Sequence, residues 1–198
     1  MTNRSSAQRI EPLSTAEIER IAADAGIPAE LLDRNIFRVL YRSPRVAKAM
    51  QELLYVHLYG SALDDRLREL VIMRIGWVTG CDYEWAQHWF TAISAFGCSA
   101  DDLLAVRDWR TSTHLGDVDR AVLAATDEVV NGGSISDATW QLCCAHLPNR
   151  QACLELVTAI ATWHAISLIL RSLHVPLEED TPSWPPDGQA PVIIRSEQ

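Results

Sequence analysis

Glu69-Leu70-Val71-Ile72-Met73-Arg74-Ile75-Gly76-Trp77-Val78-Thr79-Gly80-Cys81-Asp82-Tyr83-Glu84-Trp85-Ala86-Gln87-His88 is the stretch that decides the fold. Its apolar residues recur at helical spacing and nowhere alternate with polar ones, so it reads as helix rather than strand. Gly80 sits where a left-handed C-cap would stop one helix and let the next begin. The stretch is therefore a helical hairpin, the first helix running from about Asp64 to Thr79. Its core-forming faces also carry Glu69, Cys81, Glu84 and His88. Such groups are costly to bury without partners, and a cluster of them points to proton-transfer chemistry.

On either side of the hairpin the same period continues. Ser14-Thr15-Ala16-Glu17 spells a capping box before a short helix that stops at Gly26. Pro28 stands at a helix start, followed by Leu31, Leu32, Ile36, Val39 and Leu40 on one face. Ser43-Pro44 opens a third helix with Val46, Ala49, Met50, Leu53, Leu54 and His57 at spacings of three and four, ended by Gly60-Ser61. After the hairpin, Ser99-Ala100-Asp101-Asp102 caps a sixth helix. A seventh runs from Asp117 to Val130 and an eighth from Ser136 to about Cys144. A long apolar helix follows Pro148 and reaches Leu173. The fold class is all-α, a compact multi-helix bundle. Residues 1–11 read as an N-terminal arm, 12–175 as the helical domain, and 176–198, with five prolines, as an extended tail. Glu69-Leu70-Val71 with Trp77 is echoed by Glu155-Leu156-Val157 with Trp163, a trace of an internal helical repeat.

Composition narrows the partners. With 198 residues, 48% hydrophobic, the chain can build a real core. A formal charge of -9 and a pI near 5.1 disfavour nucleic acid and anionic membranes, which need clustered Lys and Arg. The N-terminus carries no apolar signal region, and the greasiest run, Leu156 to Leu170, is short for a membrane span and contains His164. Five cysteines without framework spacing fit reduced thiols in a cytoplasmic protein.

On the second helix of the hairpin Cys81, Glu84 and His88 fall along one face, continued by the small Ala92 and Ala95; on the first, Glu69, Met73, Gly76 and Gly80 share a face. A carboxylate beside an imidazole fixes its tautomer and raises its basicity, whereas an acid in an apolar site stays protonated and can donate. His88 is thus the candidate general acid/base, with Glu69 and Glu84 as its partners. Competing readings are plain. Glu69 could pair with Arg74 or Arg66, Cys81 could be an inert core thiol, and Glu84 with His88 could hold a metal only if Glu69 or His164 completed the set; no metal is expected. Tyr83, Trp85, Trp77 and His164 are candidate walls for a planar or cyclic ligand.

These residues resemble the carboxymuconolactone decarboxylase family, which includes alkylhydroperoxidase D. The match is clearest over Leu63 to Leu104, through Leu67-Arg68-Glu69-Leu70-Val71 and Gly80-Cys81-Asp82-Tyr83-Glu84-Trp85-Ala86-Gln87-His88. In the alkylhydroperoxidase D pattern a second cysteine stands where this chain has Glu84, so dithiol cycling is lost. The resemblance implies a helical fold, self-association into dimers, trimers or hexamers, and a cofactor-independent lyase or isomerase working on a small cyclic carboxylated, lactone or aromatic-derived metabolite. A single-thiol peroxidase using Cys81 and a non-catalytic ligand-binding scaffold are the alternatives.

Overall fold

The computed structural model describes residues 8–25 and 32–193. Among these the chain forms nine α-helices and no strand: α1 (Thr15–Ala25), α2 (Asn35–Leu40), α3 (Pro44–Tyr59), α4 (Asp65–Thr79), α5 (Asp82–Ala95), α6 (Ala100–Ala105), α7 (Asp117–Gly132), α8 (Asp137–His146) and α9 (Arg150–Leu173). The helix starts follow local chemistry. Ser14 and Glu17 bind each other's backbone ends of α1, Asp64 accepts from Leu67 N at 3.1 Å, Ser99 and Asp102 close a capping box, and Asn149 accepts from Ala152 N at 2.9 Å.

α4 is the centre, and α5, α7 and α9 pack around it while α6 and α8 cover the flanks. From Leu67 to Gly76 every residue of α4 is buried, charged ones included, so each ion needs a partner. Arg74 meets Asp127 at 2.6 Å and donates to the carbonyls of Val106 and Arg107. Gly80, at φ +66°, ends α4 with Cys81 N bonding to Gly76 O and Gly80 N to Trp77 O, the pairing of a Schellman turn. Gly76 lets α5 approach: a Cβ there would stand 3.2 Å from Trp85 N. These two glycines make the hairpin tight.

A second, smaller layer is formed by α1, α2 and α3. Leu13, Ile18, Leu32, Ile36 and Tyr41 form its core together with Cys81, Tyr83, Ile166 and Leu170 from the body. The helix expected from Pro28 starts only at Asn35: Leu32, Asp33 and Arg34 are described and not α-helical, Arg34 being extended at ψ 140°, while Gly26, Pro28 and Leu31 lie outside the described residues. α3 is rotated from its expected seating. Val46 and Leu53 are exposed, and the inward stripe is Ala47, Met50, Leu54 and His57. Met50, Leu54 and His57 belong to the expected face, whereas Ala49 is exposed along with Val46 and Leu53; the apolar band is wide enough that periodicity alone could not fix the rotation.

α9 is long and apolar enough to cross a membrane by length and composition, more so than the run Leu156–Leu170 suggests, and half of that window is buried inside the domain, as a core helix would be. Over residues 177–193 the chain is irregular rather than extended, with turns closed by Thr181 N to Glu178 O and Gly188 N to Trp184 O, and it is bound to the body. Glu178 accepts from Asn35 N at 2.8 Å and from the Tyr83 hydroxyl at 2.7 Å, and also from Gln87. Asp82 holds Ser183 and Trp184 N, and Trp184 packs on Trp77 and Trp85. The two halves of the sequence echo meet where α4 packs on α9, but their carboxylates do different work: Glu155 ties down the backbone of Ala62 and Leu63.

Candidate active site

The hairpin brings Glu69 and His88 together. Glu69, fully buried on α4, places one oxygen 2.7 Å from His88 Nδ1. Its other oxygen accepts from Arg68 Nε at 3.2 Å and Nη2 at 3.1 Å. Neither Arg66 nor Arg74 reaches it; they serve Asp102 with Asp119, and Asp127. Arg68 is itself fully buried, ion-paired to Asp65, donating to His57 O at 3.2 Å and lying 4.4 Å from the Phe96 ring centre. That buried cation balances Glu69 and aims its free oxygen at the imidazole.

The other face of the ring is equally constrained. Trp163 Nε1 lies 3.3 Å from His88 Nε2, and Glu84 Oε2 lies 3.6 Å from the same nitrogen. An indole N–H only donates, so with Trp163 engaged Nε2 must be the acceptor and Nδ1 must carry the proton given to Glu69. This defines one neutral tautomer with its lone pair toward Trp163 and Glu84. Burial pushes the His88 pKa down, but the Glu69 charge, its hydrogen bond and Glu84 outweigh that and raise it. Glu84 is pushed up to about 7, by burial first and then by the Glu69 charge, against the pull of His88 and Arg34. An acid held above the ordinary carboxylate range thus stands 3.6 Å from a ring whose pKa is raised.

Glu84, His88 and Trp163 face a pocket of about 370 Å³ whose opposite wall is α3, through Gln51, Leu54, Tyr55, Leu58 and Tyr59. Arg34 and Phe37 of the α2 region and Tyr83, Gln87 and Thr91 of α5 complete it. The volume suits a small ring compound. Glu69 lies behind His88 and does not line the pocket; it acts through the ring.

Several expected residues stand elsewhere. Of the proposed walls, Tyr83 lines the pocket, but Trp77, Trp85 and His164 do not. On α5 the pocket takes positions 83, 84, 87, 88 and 91, and Trp85 points the other way, into a cluster with Trp77, Trp89 and Trp184 capped by Arg107. On α9 Trp163 and Ile166 face the cavity, which turns His164 aside. Ala95 is exposed and Ala92 buried, so the space beside His88 comes from the gap to α3 and not from small residues. Cys81 is buried off the pocket, and its thiol is pushed up to about 12, chiefly by burial and then by Glu84. His57, on the inward side of α3, is buried edge-on against Trp163.

For a metal, the site offers little. Both Glu69 oxygens are engaged, leaving Glu84 and one imidazole nitrogen, and no group of three His, Cys, Asp or Glu side chains suited to an ion occurs among the described residues.

Residues 44–128 match the model of the Carboxymuconolactone decarboxylase family. A search of the curated proteins finds no match. Among solved structures, the chain is similar to a debrominase, Bmp8, seen as a cysteine-to-alanine variant with 2,3,4-tribromopyrrole (TM-score 0.70, 14% identity, covering 88% of this chain and 94% of that one). It is similar to a peroxidase-related protein of Silicibacter sp. TM1040 (TM-score 0.70, 14% identity, 91% and 96%). A third similar structure is an Agrobacterium tumefaciens protein of unknown function that carries the antioxidant-defence name AhpD (TM-score 0.64, 20% identity, 71% and 95%). At these identities the likeness establishes the all-helical alkylhydroperoxidase D-like fold.

Proposed function

We propose that this chain, whose residues 44–128 match the carboxymuconolactone decarboxylase family model, is a cofactor-independent lyase or isomerase for a small cyclic carboxylated, lactone or aromatic-derived metabolite. The observation that carries this reading is the line Glu69–His88–Glu84, with contacts of 2.7 and 3.6 Å, of which His88 and Glu84 line the pocket while Glu69 stands behind.

In the proposed reaction the substrate carbonyl activates a neighbouring C–H. The lone pair on His88 Nε2, released from Trp163, takes that proton, and the C–H electrons move into the carbonyl to give an enolate. Glu69 holds Nδ1–H and stabilises the imidazolium that forms. Protonated Glu84 donates to the enolate oxygen, and return of a proton at a different carbon completes an isomerisation. If a carboxylate is lost instead, the C–C bond breaks, its electrons flow into the same carbonyl as carbon dioxide departs, and protonated Glu84 delivers its proton to the resulting carbanion.

A Cys81 peroxidase is less well supported, because the thiol is off the pocket and its burial disfavours the thiolate. Self-association belongs to the same proposal: α3 exposes Val46, Leu53, Tyr55, Val56 and Tyr59, and an apolar face of that kind suits a subunit contact.

The test is hydrogen exchange into small lactones and β-keto acids in deuterated buffer, followed by NMR, together with carbon dioxide release. His88→Ala should lose both by at least about a hundredfold while its helical signal is unchanged. Turnover retained by that variant would defeat the assignment.

A further inference from the structure

The hydrogen-bonding groups of the pocket are sorted by side, and the sorting describes a ligand. Two glutamines line it, each with one end of its amide already committed. Gln51, on α3, accepts the Tyr41 hydroxyl proton through Oε1 at 2.6 Å. That length suits O–H···O and is shorter than an N–H donor ordinarily makes, so the oxygen end faces Tyr41. Gln51 Nε2, a donor only, is left without a partner among the described residues. Gln87, on α5, is committed the other way. Its Nε2 donates to Glu178, which also accepts from Asn35 N at 2.8 Å and from the Tyr83 hydroxyl at 2.7 Å. What Gln87 has left is an acceptor, Oε1. The Tyr83 hydroxyl is spent as well, since it also accepts from Ile36 N at 3.2 Å.

Arg34 stands on the donor side, just before α2. Among the described residues it is the only Lys or Arg that lines the pocket, and it is exposed. The acids beside it are taken: Asp33 pairs with Arg38, and Glu178 is filled by its three donors. Its backbone is extended, and the next residue is pinned through Asn35 N to Glu178, which fixes the root of the side chain. The α2–α3 side thus presents a guanidinium and an amide donor, whereas the α5 side presents an amide oxygen, the lone pair of His88 and an acid. An anionic group would be opposed by acceptors on α5 and welcomed by a planar cation on the other side.

We propose that Arg34 anchors a carboxylate of the ligand, with Gln51 Nε2 donating to an oxygen of the same molecule, so that the pocket selects small cyclic carboxylates over neutral lactones. The acidic end lies on the α2–α3 side and leaves the ring beside His88 and Glu84. This inference rests on the reading of the pocket as the substrate site.

The probes are benzoate and cyclopentanecarboxylate, each against its own primary amide, which keeps the shape and removes the charge. Binding to the full-length protein near neutral pH is followed by NMR titration, and displacement of the His88 ring signals reports that this pocket is the one occupied. The carboxylates should bind at least about tenfold tighter than the amides, as a hydrogen bond to a charged group warrants. Arg34→Gln should weaken the carboxylates about tenfold and the amides less than about twofold, and Arg34→Lys should restore part of the difference. Arg34 is exposed, so the replacement leaves the fold intact, which circular dichroism checks. Gln51→Glu keeps an acceptor for Tyr41, puts an acid where the donor stood, and should weaken the carboxylates alone. Amides that bind as well as the carboxylates, no saturable binding of either carboxylate, or an Arg34→Gln variant that loses all four ligands equally would overturn the proposal. None of the probes gives up a proton in order to bind. Failure here therefore leaves the acid–base reading standing for a neutral substrate, and turnover by His88→Ala would sink that reading while leaving the anion site.

Discussion

Replacing Glu84 with glutamine should change how stability depends on pH, by an amount the site itself sets. Burial holds the Glu84 pKa at about 7 against an ordinary 4.5, with only 6% of its side chain exposed. The folded state therefore binds more protons than the unfolded chain through that window, and stability falls as pH rises through it. The cost of ionising Glu84 is absent below the unfolded value and complete above the folded one. At about 1.4 kcal/mol per unit, that cost comes to roughly 3 kcal/mol. His88 adds to the trend: its raised folded pKa contributes stability below the ordinary histidine value, lost as pH rises through the folded value. Wild type should thus be markedly more stable at about pH 5 than at about pH 8. Glutamine keeps the shape but cannot ionise, so the Glu84→Gln decline should be shallower by about 2–3 kcal/mol, or several degrees in Tm for a chain of this size. An unpartnered amide adds a constant penalty of roughly 1–3 kcal/mol, so slopes and not absolute values are compared. Circular-dichroism melts across that range at fixed protein concentration provide the assay. Parallel wild-type and variant curves would refute the reasoning.

Two further substitutions probe the ring's other partners. Trp163→Phe removes the N–H that holds the neutral form of His88, so the His88 titration measured by NMR should move upward by about half to one unit, given a hydrogen bond worth roughly 1 kcal/mol. Arg68→Met leaves buried Glu69 with its His88 bond but without its cation, and urea unfolding should show a loss of about 3–5 kcal/mol; a loss under about 1 kcal/mol would mean that Glu69 does not need this cation.

How far these groups could be read in advance depended on whether their signal was local. The helices and most of their ends were written in short-range chemistry: Ser14 with Glu17, Ser99 with Asp102, Asn149 at α9 and Gly80 at the hairpin. Helical period and the Gly80 turn likewise brought Glu69 to His88. What failed was rotation about a helix axis. Period placed Val46, Ala49 and Leu53 inward on α3 beside Met50, Leu54 and His57; the last three do face inward, but Ala47 joins them while the first three are exposed, a choice made by packing against α9. The same ambiguity put Trp85 and His164 in the pocket, where Trp163 and Gln87 stand instead. Arg68 left no signal, since adjacent residues on a helix ordinarily do not face each other. Glu178 sits in a proline-rich stretch whose contacts with Asn35 and Tyr83 join distant parts of the chain.

The central claim is that Glu69 holds His88 as a raised-pKa base with its proton on Nδ1. Long-range ¹⁵N–¹H NMR of the His88 ring, recorded against pH in wild type and Glu69→Gln, measures this without a substrate. Wild type should show the Nδ1–H tautomer, titrating above the ordinary histidine value, with a downward move when Glu69 loses its charge. An Nε2–H tautomer, or a titration that ignores Glu69, would contradict it.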